Sequence, residues 1–140
     1  MDERALRELL EEVARGELSL DEAVEAIRHL PFEELGFAKV DHHRVLRQGF
    51  PEVVYCPGKT LEQIREIVAR LIERVPNVMA TRASEEIYRE IQRVSPDAVY
   101  HSQARIVVAR PEPRDLVGQV AIVSAGTADI PIAEEAAVTA

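Results

Sequence analysis

The stretch that decides the fold is VVYCPGKTLEQIREIVARLI, residues 53–72. It opens with a short apolar run rich in β-branched residues, which predicts a strand. Residues 56–58 are typical of a turn, and Thr60 with Gln63 forms the capping box that begins a helix. Apolar residues then recur every three or four positions as far as Val75, so the helix has one apolar face. The stretch therefore predicts a strand–turn–helix unit.

The same order of elements recurs further along the chain. Residues 78–80 predict a strand, Ser84 caps a helix, and residues 98–100 and 105–109 predict two more strands. Strands that alternate with helices indicate a sheet joined by helical crossovers. We therefore expect an α/β fold, with a small, mainly parallel α/β domain over residues 37–110.

An acidic helical hairpin is predicted at residues 1–36, which hold 11 acidic and 4 basic residues. Gly16 ends the first helix, and Ser19 with Glu22 forms a capping box for the second. Both helices carry an apolar stripe. That stripe either packs against the next domain or contacts another protomer.

The end of the chain predicts a new unit after a stiff, proline-containing linker at residues 111–118. Residues 120–123 form an apolar run typical of a buried parallel strand, and Pro131 suits the first turn of a following helix. One strand and one helix cannot bury their apolar faces alone. We therefore expect residues 119–140 to be the start of a truncated nucleotide-binding domain, disordered or paired with the front domain or a neighbouring copy.

The turn between that strand and helix is the strongest candidate site. Its small residues let a ligand approach the backbone, and the helix N-terminus that follows favours a phosphate. Asp129 is placed to accept hydrogen bonds from ribose hydroxyls. The predicted nucleotide contacts are Ser124, Gly126, Thr127 and Asp129. The alternative is a tight turn in which Asp129 only caps the helix.

Four basic residues are further candidates for anion or substrate contacts. Arg44 and Arg47 lie in the basic segment 37–50, Lys59 opens a helix, and Arg82 follows a strand at the end where parallel sheets bind ligands. Lys59 does not belong to a Walker motif, because Val53 stands where that motif requires glycine. Simple helix capping or structural hydrogen bonding is the alternative for each residue.

Bulk properties exclude several other classes. A net charge of -8 argues against nucleic-acid binding, and no apolar run approaches the length that crosses a bilayer. The single cysteine, Cys56, fits a reducing cytoplasm and lacks an adjacent base. His42 and His43 on an extended segment point in opposite directions, so no metal site is predicted. No residue of this chain is predicted to be catalytic.

The residue pattern resembles the LarB family. The resemblance lies in GFAKVDHHR at 36–44, RQGFPEV at 47–53, GKT at 58–60 and VSAGTADIP at 123–131, continued by AEEA at 133–136. The last two resemble the start of that family's second domain. That domain resembles the phosphoribosylaminoimidazole carboxylase PurE.

The resemblance implies an enzyme of nickel-pincer nucleotide cofactor biosynthesis, a pyridinium-3,5-biscarboxylic acid mononucleotide synthase. Such an enzyme carboxylates nicotinic acid adenine dinucleotide at C5 of its pyridinium ring and hydrolyses the phosphoanhydride, releasing AMP. Carbon dioxide or bicarbonate is the co-substrate, and no tightly bound cofactor is implied. The intact family is expected to be a homo-oligomer, an octamer like PurE-like proteins. The 140-residue chain would be its N-terminal part and inactive alone.

Carrying over the purine carboxylase turn, Gly-Ser-x-Ser-Asp, leaves one matched ligand residue, Asp129. Gly126 and Ala128 occupy the serine positions, so phosphate contacts fall to backbone donors and Thr127. The loss of both serines argues against carboxylation of an aminoimidazole ribonucleotide. The family's catalytic cysteine lies later in the second domain, and Cys56 does not match it. A non-catalytic nucleotide-binding or assembly domain remains the alternative.

Overall fold

The computed structural model describes residues 3–28, 32–42, 44, 48–113, 115 and 117–140. The chain forms two compact units, residues 1–52 and residues 53–140. Among the described residues, every helix is too short or too polar to cross a bilayer.

The first unit contains a helical pair and a β-hairpin. Helices α1 (Glu3–Arg15) and α2 (Leu20–Arg28) precede strands β1 (Phe32–Glu34) and β2 (Lys39–Asp41), which pair antiparallel. The predicted capping box is confirmed, because the backbone N–H of Glu22 donates to Ser19 Oγ at 3.2 Å and Ser19 N–H donates back to Glu22 Oε2 at 2.9 Å. Part of the apolar stripe stays exposed, at Leu10, Leu20 and Val24.

The second unit is built on a four-stranded sheet. Its elements are β3 (Val54–Tyr55), α3 (Leu61–Ile72), β4 (Val78–Thr81), α4 (Glu85–Ile91), β5 (Val99–His101) and β6 (Ile106–Ala109). The strand order is β3-β4-β6-β5, with β3 and β4 parallel and both pairings of β6 antiparallel. The α/β class predicted from the sequence is confirmed.

The expected mainly parallel sheet needs correction, because the sheet is mixed. Only the four residues 102–105 join β5 to β6, and a connection this short returns the chain antiparallel instead of crossing over. Strand β5 runs in the same direction as β4 but is not its neighbour. Strand β6 fills the gap between them, as in a split β-α-β arrangement.

The core of the second unit lies between the sheet and α3. The predicted apolar stripe of that helix is buried at Ile64, Ile67, Val68 and Leu71. The strand residues Val78, Ala80, Ile106 and Val107 are buried as well. Burying each of the larger side chains stabilises the folded state by about 1.5–3 kcal/mol.

The C-terminal segment forms a short 3-10 turn (Thr127–Asp129) and a helix, α5 (Ile130–Thr139). The helix is confirmed, but the strand predicted at residues 120–123 is wrong. These residues form no regular secondary structure and pair with none of the described strands. Val120 and Val123 are 71% and 91% exposed. The expected strand pairing with the α/β domain of residues 37–110 is therefore absent among the described strands. An unpaired strand leaves its backbone groups without hydrogen-bond partners and its apolar side chains in water.

Candidate functional site

Basic side chains gather at the carboxyl end of the parallel β3–β4 pair. Tyr55 at the end of β3 is the register partner of Thr81 at the end of β4, so the two strands finish side by side. The ammonium of Lys59 donates to the Tyr55 carbonyl at 2.7 Å, and Arg82 follows Thr81 directly. The structure therefore brings together two of the four predicted anion contacts, Lys59 and Arg82, at one edge.

A third basic residue, Arg105, reaches the same edge from the opposite direction. Strand β6 runs antiparallel to β4, so the residue before β6 lies beside the residue after β4. Arg105 Nη2 donates to the Arg82 carbonyl at 3.4 Å, and the N–H of Ala83 donates to the Arg105 carbonyl at 2.8 Å. Both arginines adopt left-handed backbone conformations, with φ of 57° and 54°. Such angles cost a non-glycine residue about 1–2 kcal/mol, and the two cross-links hold both residues there.

The guanidinium of Arg82 is bound by a carboxylate of α5. Arg82 Nε donates to Glu135 Oε1 at 2.9 Å, and Nη2 lies 2.9 Å from Oε2, which makes a bidentate pair. The hydrogen bond from Arg82 to Glu135 and the negative charge of that residue raise the pKa of Arg82 above its ordinary value. Since the Arg82 side chain is 42% exposed, water and dissolved anions can reach this pair.

Cys56 lies next to this edge but is closed off from it. The residue is 2% exposed, and its Sγ lies 3.8 Å from the Val54 carbonyl. Burial raises the pKa of the thiol to about 11, although the positive charges of Lys59 and Arg105 oppose the rise. A buried, protonated thiol is a poor nucleophile at neutral pH, so the geometry gives Cys56 a packing role.

The predicted nucleotide turn closes on itself through Asp129. Its N–H donates to the Gly126 carbonyl at 3.0 Å, and its Oδ2 accepts the Gly126 N–H at 3.3 Å. The carboxylate makes no capping hydrogen bond to α5 itself, but its bond to the Gly126 N–H caps the 3-10 turn that leads into α5, so structural capping stays the alternative to a ligand contact. Ser124, Gly126, Thr127 and Asp129 are all exposed. They remain a predicted nucleotide contact.

An open groove lies between residues 122–125 and α5, with a volume of about 420 Å³. This volume is in the range of small-molecule sites. The wall is mainly apolar, and Ser124 and Asp129 supply polar side chains. The full lining is Ile122, Val123, Ser124, Ala125, Asp129, Ile132, Ala133 and Ala136.

The first unit holds the third predicted anion contact, Arg44. Its Nε is buried and has no hydrogen-bond partner among the described residues. His42 is buried nearby in sequence, with its Nε2 3.1 Å from Glu33 Oε2. Arg47 and His43 lie outside the described residues. A buried guanidinium nitrogen without a partner is costly, so Arg44 retains a donor that a ligand or a partner group could satisfy.

Sequence reasoning missed Arg105 and Glu135. Arg105 looks like the first residue of a strand, and only the antiparallel insertion of β6 brings it to Arg82. Glu135 looks like a solvent-exposed helical residue, and its partner lies 53 positions earlier in the chain. No spacing in the sequence signals this pair, because its two residues lie 53 positions apart and only the fold brings them together.

Comparison with known proteins identifies the family of the central part of the chain. Residues 32–112 match the family described as the LarB/PurE-like N-terminal domain. The chain is also 34% identical over 139 residues to an uncharacterized protein of Methanocaldococcus jannaschii, in a match that covers 94% of this chain and 54% of that relative. The chain thus spans about half the length of the curated relative it matches. It belongs to the family of LarB/PurE-like N-terminal domains.

Proposed function

We propose that this chain is the N-terminal part of a pyridinium-3,5-biscarboxylic acid mononucleotide synthase in nickel-pincer nucleotide cofactor biosynthesis. The full enzyme would carboxylate nicotinic acid adenine dinucleotide at C5, using carbon dioxide or bicarbonate, and would hydrolyse the phosphoanhydride to release AMP. The observation that carries this proposal is the family match over residues 32–112. The sequence of the turn at 123–131 supports it.

In this proposal the chain contributes binding groups. The turn residues Ser124, Gly126 and Thr127 would supply donors to a phosphate, and Asp129 would accept from a ribose hydroxyl. Lys59 and Arg82 are the proposed anion contacts of the second unit. Arg44, whose Nε has no hydrogen-bond partner among the described residues, is a separate candidate in the first unit. Arg47 is a further candidate from the sequence alone. The proposal assigns no covalent step to Cys56, because that thiol is buried and protonated.

The direct test is release of AMP from nicotinic acid adenine dinucleotide in the presence of bicarbonate, followed by chromatography. The 140-residue chain and a version extended to the length of its curated relative are assayed side by side. We expect AMP from the extended version only. AMP from neither protein would contradict the proposed reaction. AMP from the 140-residue chain would contradict the purely binding role assigned to it.

Omission of bicarbonate separates the two chemical steps. The extended protein without bicarbonate should release little AMP if carboxylation comes first. An aminoimidazole ribonucleotide offered in place of the dinucleotide should not be carboxylated, because Gly126 and Ala128 lack the hydroxyls that the purine carboxylases use. Turnover of that ribonucleotide would favour the purine reaction instead.

A non-catalytic role in nucleotide binding or assembly is the second candidate. It is favoured by the exposed apolar residues of α2, among them Leu20 at 72% and Val24 at 62% exposed. We propose that the intact protein is a cytoplasmic homo-oligomer, an octamer by the resemblance. Mass photometry of the extended protein, with Leu20→Glu and Val24→Glu variants, tests this. Octamers that survive both substitutions would contradict a role of α2 in assembly.

A further inference from the structure

We propose that Arg82, Arg105 and Lys59 form an anion-binding site and that Glu135 occupies it in this structure in place of a phosphate-bearing ligand. Binding of such a ligand would displace Glu135 and release α5 from the edge of the sheet. The proposal does not depend on the synthase reaction, since it concerns binding of an oxyanion and the movement of one helix.

The first support is the position of the Glu135 carboxylate. Both of its carboxylate oxygens lie 2.9 Å from guanidinium nitrogens of Arg82, which is the geometry that arginine offers to a carboxylate or a phosphate. The Glu135 side chain is 20% exposed and Arg82 is 42% exposed. The pair is thus accessible, and an ion pair of this kind exchanges readily with a competing anion.

The remaining positive charge is the second support. Lys59 Nζ contacts the Tyr55 carbonyl, and Arg105 Nη2 contacts the Arg82 carbonyl. Among the described residues, neither basic group makes an ion pair with a carboxylate. One carboxylate therefore balances only one of three positive charges at this edge. A divalent or higher oxyanion such as a pyrophosphate would balance the edge better than Glu135 does.

The helix that carries Glu135 links this edge to the nucleotide turn. Glu135 lies six residues after Asp129, which is about 9 Å along the axis of a helix. Glu134, the preceding residue, lines a second cavity of about 280 Å³ with Tyr100, His101 and residues 102–104. An anion that replaces Glu135 would therefore free both the helix and the turn that precedes it.

The test uses inorganic pyrophosphate as the probe, titrated into the 140-residue protein at low ionic strength in a calorimeter. Glu135→Gln removes the competing carboxylate, so this variant should bind pyrophosphate about two- to fivefold more tightly than the unchanged protein. Glu134→Gln is the matched control, because it changes the net charge equally on the same helix but leaves Arg82 paired. It should bind like the unchanged protein.

Loss of the site is tested with Arg82→Asn, since asparagine tolerates the left-handed backbone at this position. Binding should weaken at least tenfold, whereas Arg89→Gln, an equal charge change on α4, should have little effect. Tyrosine fluorescence and circular dichroism confirm that each variant is folded. Hydrogen exchange of residues 131–139 should accelerate when pyrophosphate saturates the unchanged protein.

Three results would overturn the proposal. Equal affinities of Glu134→Gln and Glu135→Gln would show that only net charge matters. Absence of binding by both the unchanged protein and Glu135→Gln would show that the edge is not an anion site. Tight binding with unchanged hydrogen exchange in α5 would show that the anion does not displace Glu135.

Discussion

The molecule contains two segments whose sequence pattern predicts a strand, a turn and a helix, and only the first of them is paired and buried. In residues 53–72 the strand is paired, Val54 is 3% exposed, and α3 buries four apolar side chains. In residues 120–139 the predicted strand is unpaired, Val123 is 91% exposed, and α5 has no buried residue. Both segments nevertheless form a turn and a helix.

The difference separates what a local sequence encodes from what its neighbours supply. A helix satisfies its hydrogen bonds within itself, so capping residues and periodicity suffice to begin and end it. A strand forms its hydrogen bonds with another strand. An apolar run therefore becomes a strand only where the edge of a sheet is available to pair with it. Residues 120–123 are apolar enough for a strand and lack only such an edge among the described residues.

The largest expected effect is the loss of a core side chain in the packed segment. Ile64→Ala should lower the free energy of unfolding by about 2–5 kcal/mol, because Ile64 is fully buried. The same change at the exposed Ile132 should alter it by less than about 0.5 kcal/mol. Urea unfolding followed by tyrosine fluorescence measures both, since all three tyrosines lie in residues 53–140. Equal losses would contradict the contrast between the segments.

A thiol placed in each turn tests the same contrast by chemistry. Cys56 should react with a disulfide reagent at pH 8 about a hundredfold more slowly than an exposed thiol, because its pKa is raised to about 11 and thiolate is the reactive form. The comparison protein is Ser124→Cys in a Cys56→Ala background. Similar rates in the folded state would mean that the turn after β3 opens as freely as the C-terminal turn.

The raised pKa of Cys56 also predicts a pH dependence of stability. The folded protein holds the thiol proton more tightly than the unfolded chain, so this contribution to stability is fully present below about pH 9. It should be lost as the pH rises from about 9 to about 11. Cys56→Ala should remove this part of the decline. The measurement is the free energy of unfolding of both proteins as a function of pH. Parallel curves across that range would rule out the buried thiol as its source.

The sequence alone predicted the parts of the fold that depend on near neighbours. The capping boxes at Ser19 and Thr60 and the apolar stripe of α3 follow from spacings of three and four residues, and the structure confirms them. The β1–β2 hairpin was not predicted, because strands of three residues leave almost no periodic signal.

Strand order and the charged edge could not be predicted for a different reason. Insertion of β6 between β4 and β5 is a choice among sheet topologies that no local spacing records. Arg105 comes close to Arg82 only through that insertion. Lys59 and Arg82 were predicted as separate anion contacts from their positions at helix and strand ends, and their common edge follows from the parallel β3–β4 pair.

An ion pair between α3 and α4 should contribute more to the free energy of unfolding than an ion pair of α5, as is expected for the apolar contacts. Glu90 on α4 is buried, and its carboxylate lies against the guanidinium groups of Arg65 and Arg93. Glu90→Gln should cost about 1–2 kcal/mol of unfolding free energy, discounted for the partial exposure of both arginines. Glu135→Gln on α5 should leave the urea midpoint almost unchanged. A larger effect at Glu135 would mean that α5 unfolds together with the sheet.

The smallest expected effect concerns the two helix starts. Thr60 Oγ1 accepts the Gln63 N–H at 3.2 Å, so Thr60→Ala should cost about 1 kcal/mol of unfolding free energy. Asp129 accepts the Gly126 N–H in an exposed 3-10 turn and makes no cap bond to α5 itself, so Asp129→Ala should cost only a few tenths of a kcal/mol. Urea unfolding measures the first change, and hydrogen exchange of residues 131–139 measures the second. A cost at Asp129 equal to that at Thr60 would make the carboxylate a structural cap. A small cost leaves Asp129 free for the ribose contact proposed for it, since a residue that the helix does not require can be kept for a ligand.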